Sequence, residues 1–197
     1  MDIPSLQKRL GVAADGDFGP LTATALFTRL GAKGSVAAAL GRGAAKSFKR
    51  YGLLEGNGTR LAHFLGQVGH ESGGFRYMEE LATGAAYEGR KDLGNVKVGD
   101  GRRYKGRGPL QLTGRANYRA FGAALDLDLE NDPEIAADPA IGILIACEYW
   151  QQRKLNALAD ADDTKAITRR VNGGENGLPD RFMRTLQAKA LVLDSVR

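Results

Sequence analysis

The stretch Thr59-Arg60-Leu61-Ala62-His63-Phe64-Leu65-Gly66-Gln67-Val68-Gly69-His70-Glu71-Ser72-Gly73-Gly74-Phe75 decides how the rest of the chain is read. Leu61, Phe64, Leu65 and Val68 recur at the spacing of one helical face, and Asn57 or Thr59 is placed to cap the helix start. The helix closes on an acid that Ser72 and two glycines follow at once. Glu71 comes seven positions after Phe64, so its carboxyl leans toward the apolar side. Partial burial there would disfavour the charged form and raise its pKa, the setting a general acid needs near neutral pH. A surface glutamate before a turn would leave the same local signature.

Outward from that stretch, the 197 residues are 43% hydrophobic and 26% charged, enough for a full core and unlike a disordered chain. No apolar run approaches the roughly 20 residues of a membrane span. Met1-Asp2-Ile3-Pro4 lacks the basic and apolar regions of a secretory signal, so the expected starting compartment is the cytoplasm. The lone Cys147, set among Ile143, Leu144 and Ile145, reads as a buried structural thiol. A net charge of +5 favours an anionic partner. Basic residues come in scattered pairs such as Arg102-Arg103 and Arg169-Arg170, with no nucleic-acid reading motif, so nucleic acid is not expected as a partner.

The remaining segments read as mostly helical. Residues 1–33 hold two short helices about Asp15-Gly16-Asp17-Phe18-Gly19-Pro20. Small residues around Val36 to Leu40 suggest one helix, and Phe48, Tyr51 and Leu53 a second. Beyond Glu71, glycines 84, 89, 94, 99, 101, 106 and 108 break every periodic pattern, and a long loop of that kind in a compact domain is usually functional. At Gly106-Arg107-Gly108-Pro109-Leu110-Gln111-Leu112-Thr113-Gly114, apolar and polar residues alternate as on a short strand. Helices follow from Arg115 to Ala124, after an N-cap at Asp138, after Asp163 or Thr164 and ending at Asn172-Gly173-Gly174, and from Pro179-Asp180 through Leu193.

His63, His70 and Glu71 share one helix, which raises the question of zinc. Metal-binding histidine pairs on a helix sit four apart, whereas these sit seven apart, and there is no third histidine. His70 is better read as orienting Glu71 or packing beneath it. No nucleophile elbow supports a serine triad. Carboxylate chemistry remains, for which the candidate second acids are Glu79, Glu80, Glu88, Asp92 and Asp100.

The order His70-Glu71-Ser72-Gly73-Gly74-Phe75, Tyr87-Glu88-Gly89-Arg90, Leu93-Gly94-Asn95, Gly99-Asp100-Gly101 and Tyr104-Lys105-Gly106-Arg107-Gly108-Pro109-Leu110-Gln111-Leu112-Thr113-Gly114-Arg115-Ala116-Asn117-Tyr118 resembles the family 19 glycoside hydrolases, among them chitinases and phage endolysins. The likeness covers residues 59–182 and is nearest to the endolysins. It implies a mainly α, lysozyme-like fold of two lobes with a small strand or extended element lining the cleft between them. It also implies an inverting mechanism in which Glu71 is the acid and Glu80, nine positions on, is the base, their carboxyls about 6.5–9.5 Å apart. Leu81 stands where related endolysins often carry Asn, which keeps Glu79 as a reserve base. By the same likeness Gln111, Thr113 and Asn117 bind sugar and help hold the attacking water, Asn172 and Arg181 are the remaining polar residues of the cleft, with Arg181 near Glu71 to tune its ionisation, and Tyr104 is a sugar-binding candidate. Tyr87, Tyr104 and Tyr118 either stack on sugar rings or pack.

Residues 1–33 further resemble about half of a peptidoglycan-binding module, leaving residues 34–197 as the catalytic domain, although the short segment could equally pack onto it. The expectation is then a monomeric enzyme with no metal and no cofactor that cuts the glycan strand of peptidoglycan between N-acetylmuramic acid and N-acetylglucosamine. It would have no stable membrane insertion and would reach the periplasm and wall of an infected host at lysis. A chitinase is the alternative. A non-enzymatic wall-binding or membrane-disrupting protein is the third possibility.

Overall fold

In a computed structural model, which describes residues 1–193, the helix α4 (Thr59–Glu71) is buried at every position from Leu61 to Gly69. The single apolar face read from the sequence is therefore too narrow a description: helices cover α4 on all sides. Its main neighbour is α10 (Leu178–Val192). Gly66 sets their separation, because a Cβ there would stand 2.2 Å from Thr185 Oγ1 and 2.9 Å from the Thr185 backbone nitrogen. Such contacts are tighter than a packed core tolerates.

Around this pair lie α1 (Ile3–Leu10), α2 (Pro20–Arg29), α3 (Gly34–Ser47), α7 (Pro139–Gln152), α8 (Leu155–Asp160) and α9 (Thr164–Asn172). Asp138 caps α7 by accepting from the Ala140 and Ile141 amides, and Asp163 caps α9 by accepting from Ala166, as the sequence leads one to expect. At α4 the cap residue is instead Gly58, in a left-handed conformation, while Asn57 accepts from the Thr59 amide and hydroxyl. The helix expected through Phe48, Tyr51 and Leu53 does not form. Those residues follow α3 as a series of turns, with Leu53 N–H donating to Phe48 O and Gly52 at φ +67°, yet all three side chains are buried. Burial without periodic backbone misled the pattern.

Two apolar clusters divide the molecule. The larger gathers Leu6, Leu26, Phe27, Phe48, Phe64, Phe75 and Trp150, with Phe27 and Phe75 in edge contact at 5.2 Å and Phe64 and Trp150 at 5.4 Å. The smaller holds Tyr104, Leu112, Tyr118, Phe121, Leu129 and Ile145, and belongs to a lobe made of the irregular stretch, α5 (Asp100–Arg103) and α6 (Arg115–Leu125). The helix α7 serves both clusters, giving Ile143 and Trp150 to one and Ile145 to the other. Cys147 is wholly buried on α7, and burial pushes its thiol up to about 12.

Between the lobes lies the extended element. Glu80 N–H donates to Gly106 O and Gly108 N–H to Met78 O, and Arg107 exchanges two backbone hydrogen bonds with Leu112. The alternating run 106–114 is thus a tight hairpin rather than a straight strand, turned by Gln111 at φ +54°.

Residues 1–33 supply Leu6, Phe18, Leu26 and Phe27 to the larger cluster, and Phe18 stacks on Phe48 at 5.8 Å. Deleting residues 1–33 is expected to uncover Phe48 and Phe75 and abolish cooperative unfolding. A sharp thermal transition in the truncated protein would contradict this.

Candidate active site

The end of α4 is fixed by charge. Glu71 Oε1 accepts from the Arg181 guanidinium, whose other nitrogens donate to Gln67 Oε1 at 2.6 Å and to Asn176 O at 3.1 Å. Arg181 is only 2% exposed, and the Glu71 side chain is 25% exposed. Glu71 Oε2 has no hydrogen-bonding partner among the described residues. The apolar setting expected for this carboxyl is accordingly incomplete, since a buried guanidinium lies against it. Arg181 offers no free surface to a sugar; it positions Glu71. His70 does not orient Glu71 either. Its Nδ1 pairs with Asp180 at 2.6 Å, so two consecutive residues of α10 hold two consecutive residues of α4. Past Glu71 the backbone turns through Gly73, Gly74 and Phe75, all at positive φ, and the Phe75 amide donates to Ser72 Oγ.

Across the cleft the five candidate acids separate by their contacts. Glu79 accepts from the buried Arg107 at 2.9 Å and sits 3.3 Å from Lys105. Glu88 accepts from the Gly99 and Gly101 amides, and Asp92 pairs with Arg90. Asp100, 1% exposed, accepts from the Val96 and Lys97 amides and from Arg115. Glu80 alone adjoins the polar residues expected at the sugar site. Its Oε1 accepts from the Tyr87 hydroxyl at 3.0 Å and its Oε2 from the Gly106 amide at 3.1 Å. A Cβ on Gly106 would stand 2.6 Å from Gln111 Oε1, 3.2 Å from Glu80 Oε2 and 3.3 Å from Thr113 Oγ1. Glycine at 106 therefore lets three polar side chains converge. Glu79 and Glu80, as neighbours on an extended segment, point opposite ways.

Gln111, Thr113 and Asn117 line a cavity of about 150 Å³ together with Leu110, Tyr149 and Arg153. Asn117 Nδ2 donates to Thr113 O and Thr113 Oγ1 to Gln111 O, which fixes the order of the three. Of the residues lining this cavity, Tyr149 is the one on which the charge of Glu71 acts. Burial pushes its phenol up, Arg153 opposes that shift, and the charges of Glu71 and Arg181 also act on it. Asn172, the last residue of α9, is exposed and is not among the residues lining the cavity. Tyr104 is not a sugar platform. It is 1% exposed, donates to Glu130 O, and lies beneath Arg115, whose Cζ is 4.7 Å from the ring centroid. Tyr118 is likewise buried, and Tyr87 is the partly exposed member of the three. Tyr149 and Arg153 were not foreseen, because Tyr149 sits in an apolar helical run and Arg153 in a charged helix end.

Residues 21–164 match the family profile described as chitinase class I, glycoside hydrolase family 19. The chain belongs to glycoside hydrolase family 19. It is 33% identical over 156 residues to a family 19 domain-containing protein of Haemophilus influenzae, covering 64% of this chain and 76% of that one. An endochitinase of Arabidopsis thaliana is 36% identical over 67% of this chain, which spans 45% of the plant protein. Chitinase C of Streptomyces griseus superposes with a TM-score of 0.71 at 22% identity, over 88% of this chain and 93% of that one. A bacterial family 19 chitinase gives 0.69 at 25% identity, over 88% and 94%. The mainly helical, lysozyme-like architecture is that of these family 19 structures.

The lobe carrying Glu80 depends on Asp100. The hydrogen bonds from Arg115 hold its carboxyl down at about 2, below the unfolded value of about 3.9. A carboxyl depressed in this way stabilises the fold above pH 4 and loses that contribution as pH falls toward 2. Denaturation midpoints should therefore drop between pH 4 and 2, and Asp100→Asn should flatten that part of the profile while lowering stability at pH 7.

Proposed function

We propose that this chain is an endolysin-type family 19 hydrolase that cleaves the β-1,4 glycosidic bond of peptidoglycan glycan strands, between N-acetylmuramic acid and N-acetylglucosamine, with inversion. The observation that carries the chemistry is the contrast between the two acids. Glu71 is anchored through one oxygen and keeps the other uncommitted, as a proton donor to the glycosidic oxygen requires. Glu80 accepts through both oxygens beside Thr113 and Gln111, where an attacking water could be held and deprotonated. Inversion needs these roles on opposite faces of the sugar, and the acids come from opposite lobes.

The family supplies the bond type, since its named plant and Streptomyces relatives are chitinases, and chitin and peptidoglycan share N-acetylglucosamine in β-1,4 linkage. Peptidoglycan is favoured by the net charge of +5 and by the likeness of residues 1–33 to part of a wall-binding module. Wall affinity would then arise from a segment built into the catalytic core. Release from the cytoplasm of an infected host at lysis, and action as a monomer, belong to the same reading. Chitin hydrolysis is the second reading, favoured by the relatives' names.

Purified peptidoglycan and colloidal chitin, assayed side by side, separate the two: solubilisation of chitin alone would overturn the endolysin reading. On the preferred substrate, Glu71→Gln and Glu80→Gln should each lower turnover by orders of magnitude with melting temperatures nearly unchanged for Glu80→Gln. Glu79→Gln should keep most activity but lose stability, because it leaves the Arg107 guanidinium undercompensated. Unimpaired lysis by Glu71→Gln would point to a non-enzymatic protein.

A further inference from the structure

The cavity lined by Gln111, Thr113 and Asn117 contains a charge that the two-carboxylate chemistry does not use. The guanidinium of Arg153 lies over the ring of Tyr149, its Cζ 3.5 Å from the ring centroid. Three arginines of this region have a carboxylate: Arg107 has Glu79, Arg115 has Asp100 and Glu130, and Arg181 has Glu71, whereas Arg170, which donates to Arg153 O, has none among the described residues. Among the described residues, Arg153 has neither an ion-pair partner nor a hydrogen-bond acceptor for its side chain. It lines the cavity with the neutral Gln111, Thr113 and Asn117 and with Arg107, whose charge Glu79 already meets.

We infer that Arg153, held on Tyr149, is a specificity-determining residue that binds a carboxylate carried by the glycan. Stacking occupies the face of the guanidinium and leaves its N–H edges directed away from the ring, and those edges match a carboxylate with two parallel hydrogen bonds. Stacking also restricts the side chain before binding, so less conformational freedom is lost on contact. A glycan made only of N-acetylglucosamine has no charge for this group. A muramyl residue does: its lactyl carboxyl is free in strands stripped of peptide, and in substituted strands the stem peptide brings carboxylates of its own. The inference rests on the peptidoglycan reading and deepens it, because it names what separates the two polymers at this cavity.

The test compares three soluble substrates of equal glycan length: a peptide-free muramyl tetrasaccharide, the same tetrasaccharide with its peptide stems, and chitotetraose. Arg153→Gln is expected to lower kcat/KM for a carboxylate-bearing substrate, relative to chitotetraose, at least tenfold and mainly through KM. Arg153→Lys should restore much of that ratio, and added salt should erode the wild-type preference but not that of Arg153→Gln. A shift with the peptide-free sugar assigns the lactyl carboxylate; a shift only with the stem-bearing sugar assigns the peptide. An unchanged ratio, or equal loss on all three substrates, would overturn the inference while the wild type's own preference for muramyl sugar kept the function standing. A wild type that cuts chitotetraose and no muramyl sugar would overturn both.

Discussion

A guanidinium taken out of water must be compensated, and the Arg181 guanidinium is compensated by three acceptors from two places. Gln67 and Glu71 come from α4, and Asn176 O comes from the loop before α10. An uncompensated buried charge costs several kcal/mol, so the fold has a strong preference for the one arrangement in which all three acceptors are met. That arrangement sets the register of α10 against α4. Asp180 and His70 add a second pair one residue over, and Gly66 allows the helices to come close enough for both. The orientation of Glu71 is thus a product of helix packing, and its carboxylate inherits its rigidity from the close contact of α10 with α4.

The opposite lobe is ordered by other means. Few of its residues lie in long helices, and its backbone polar groups are met by side chains. Asp100 accepts two amides and a guanidinium, Glu88 accepts two amides, and Asn95 donates to Tyr87 O while accepting from the Arg115 amide. These bonds make a glycine-rich segment into a definite surface, on which Tyr87 reaches Glu80. The acids that could have been mistaken for a second catalytic group are, on this account, the ones that hold the loop in place.

What was legible in the sequence follows from which forces leave a local mark. Caps and periodicity are local, so α7, α9 and α10 could be placed from Asp138, Asp163 and Pro179. The apolar run into Glu71 identified α4, while Glu80 was one of five candidate acids until the family resemblance, with its nine-residue offset, pointed to it. Burial that comes from distant parts of the chain leaves no periodic trace. Phe48, Tyr51 and Leu53 look helical because they are all inside, yet they lie in turns. Tyr104 looks like a sugar platform until the arginines above it are seen, and Arg181 looks like a cleft residue until Gln67, 114 positions away, is found against it. Arg153 gave no signal, because what sets it apart is that no carboxylate among the described residues meets it, a fact of three dimensions.

The sharing of α7 between the two apolar clusters has a mechanical consequence. One face of this helix is cemented into the lobe that carries Glu71, and the other bears Ile145 against the lobe that carries Glu80. The gap between Glu71 and Glu80 is therefore a distance between two bodies joined along a common spine. A small rocking about that spine widens or narrows the room for a water molecule while leaving each body's interior packing intact. On the proposed function, a polymer lying across both lobes would touch both bodies at once and act as the wedge that sets the gap.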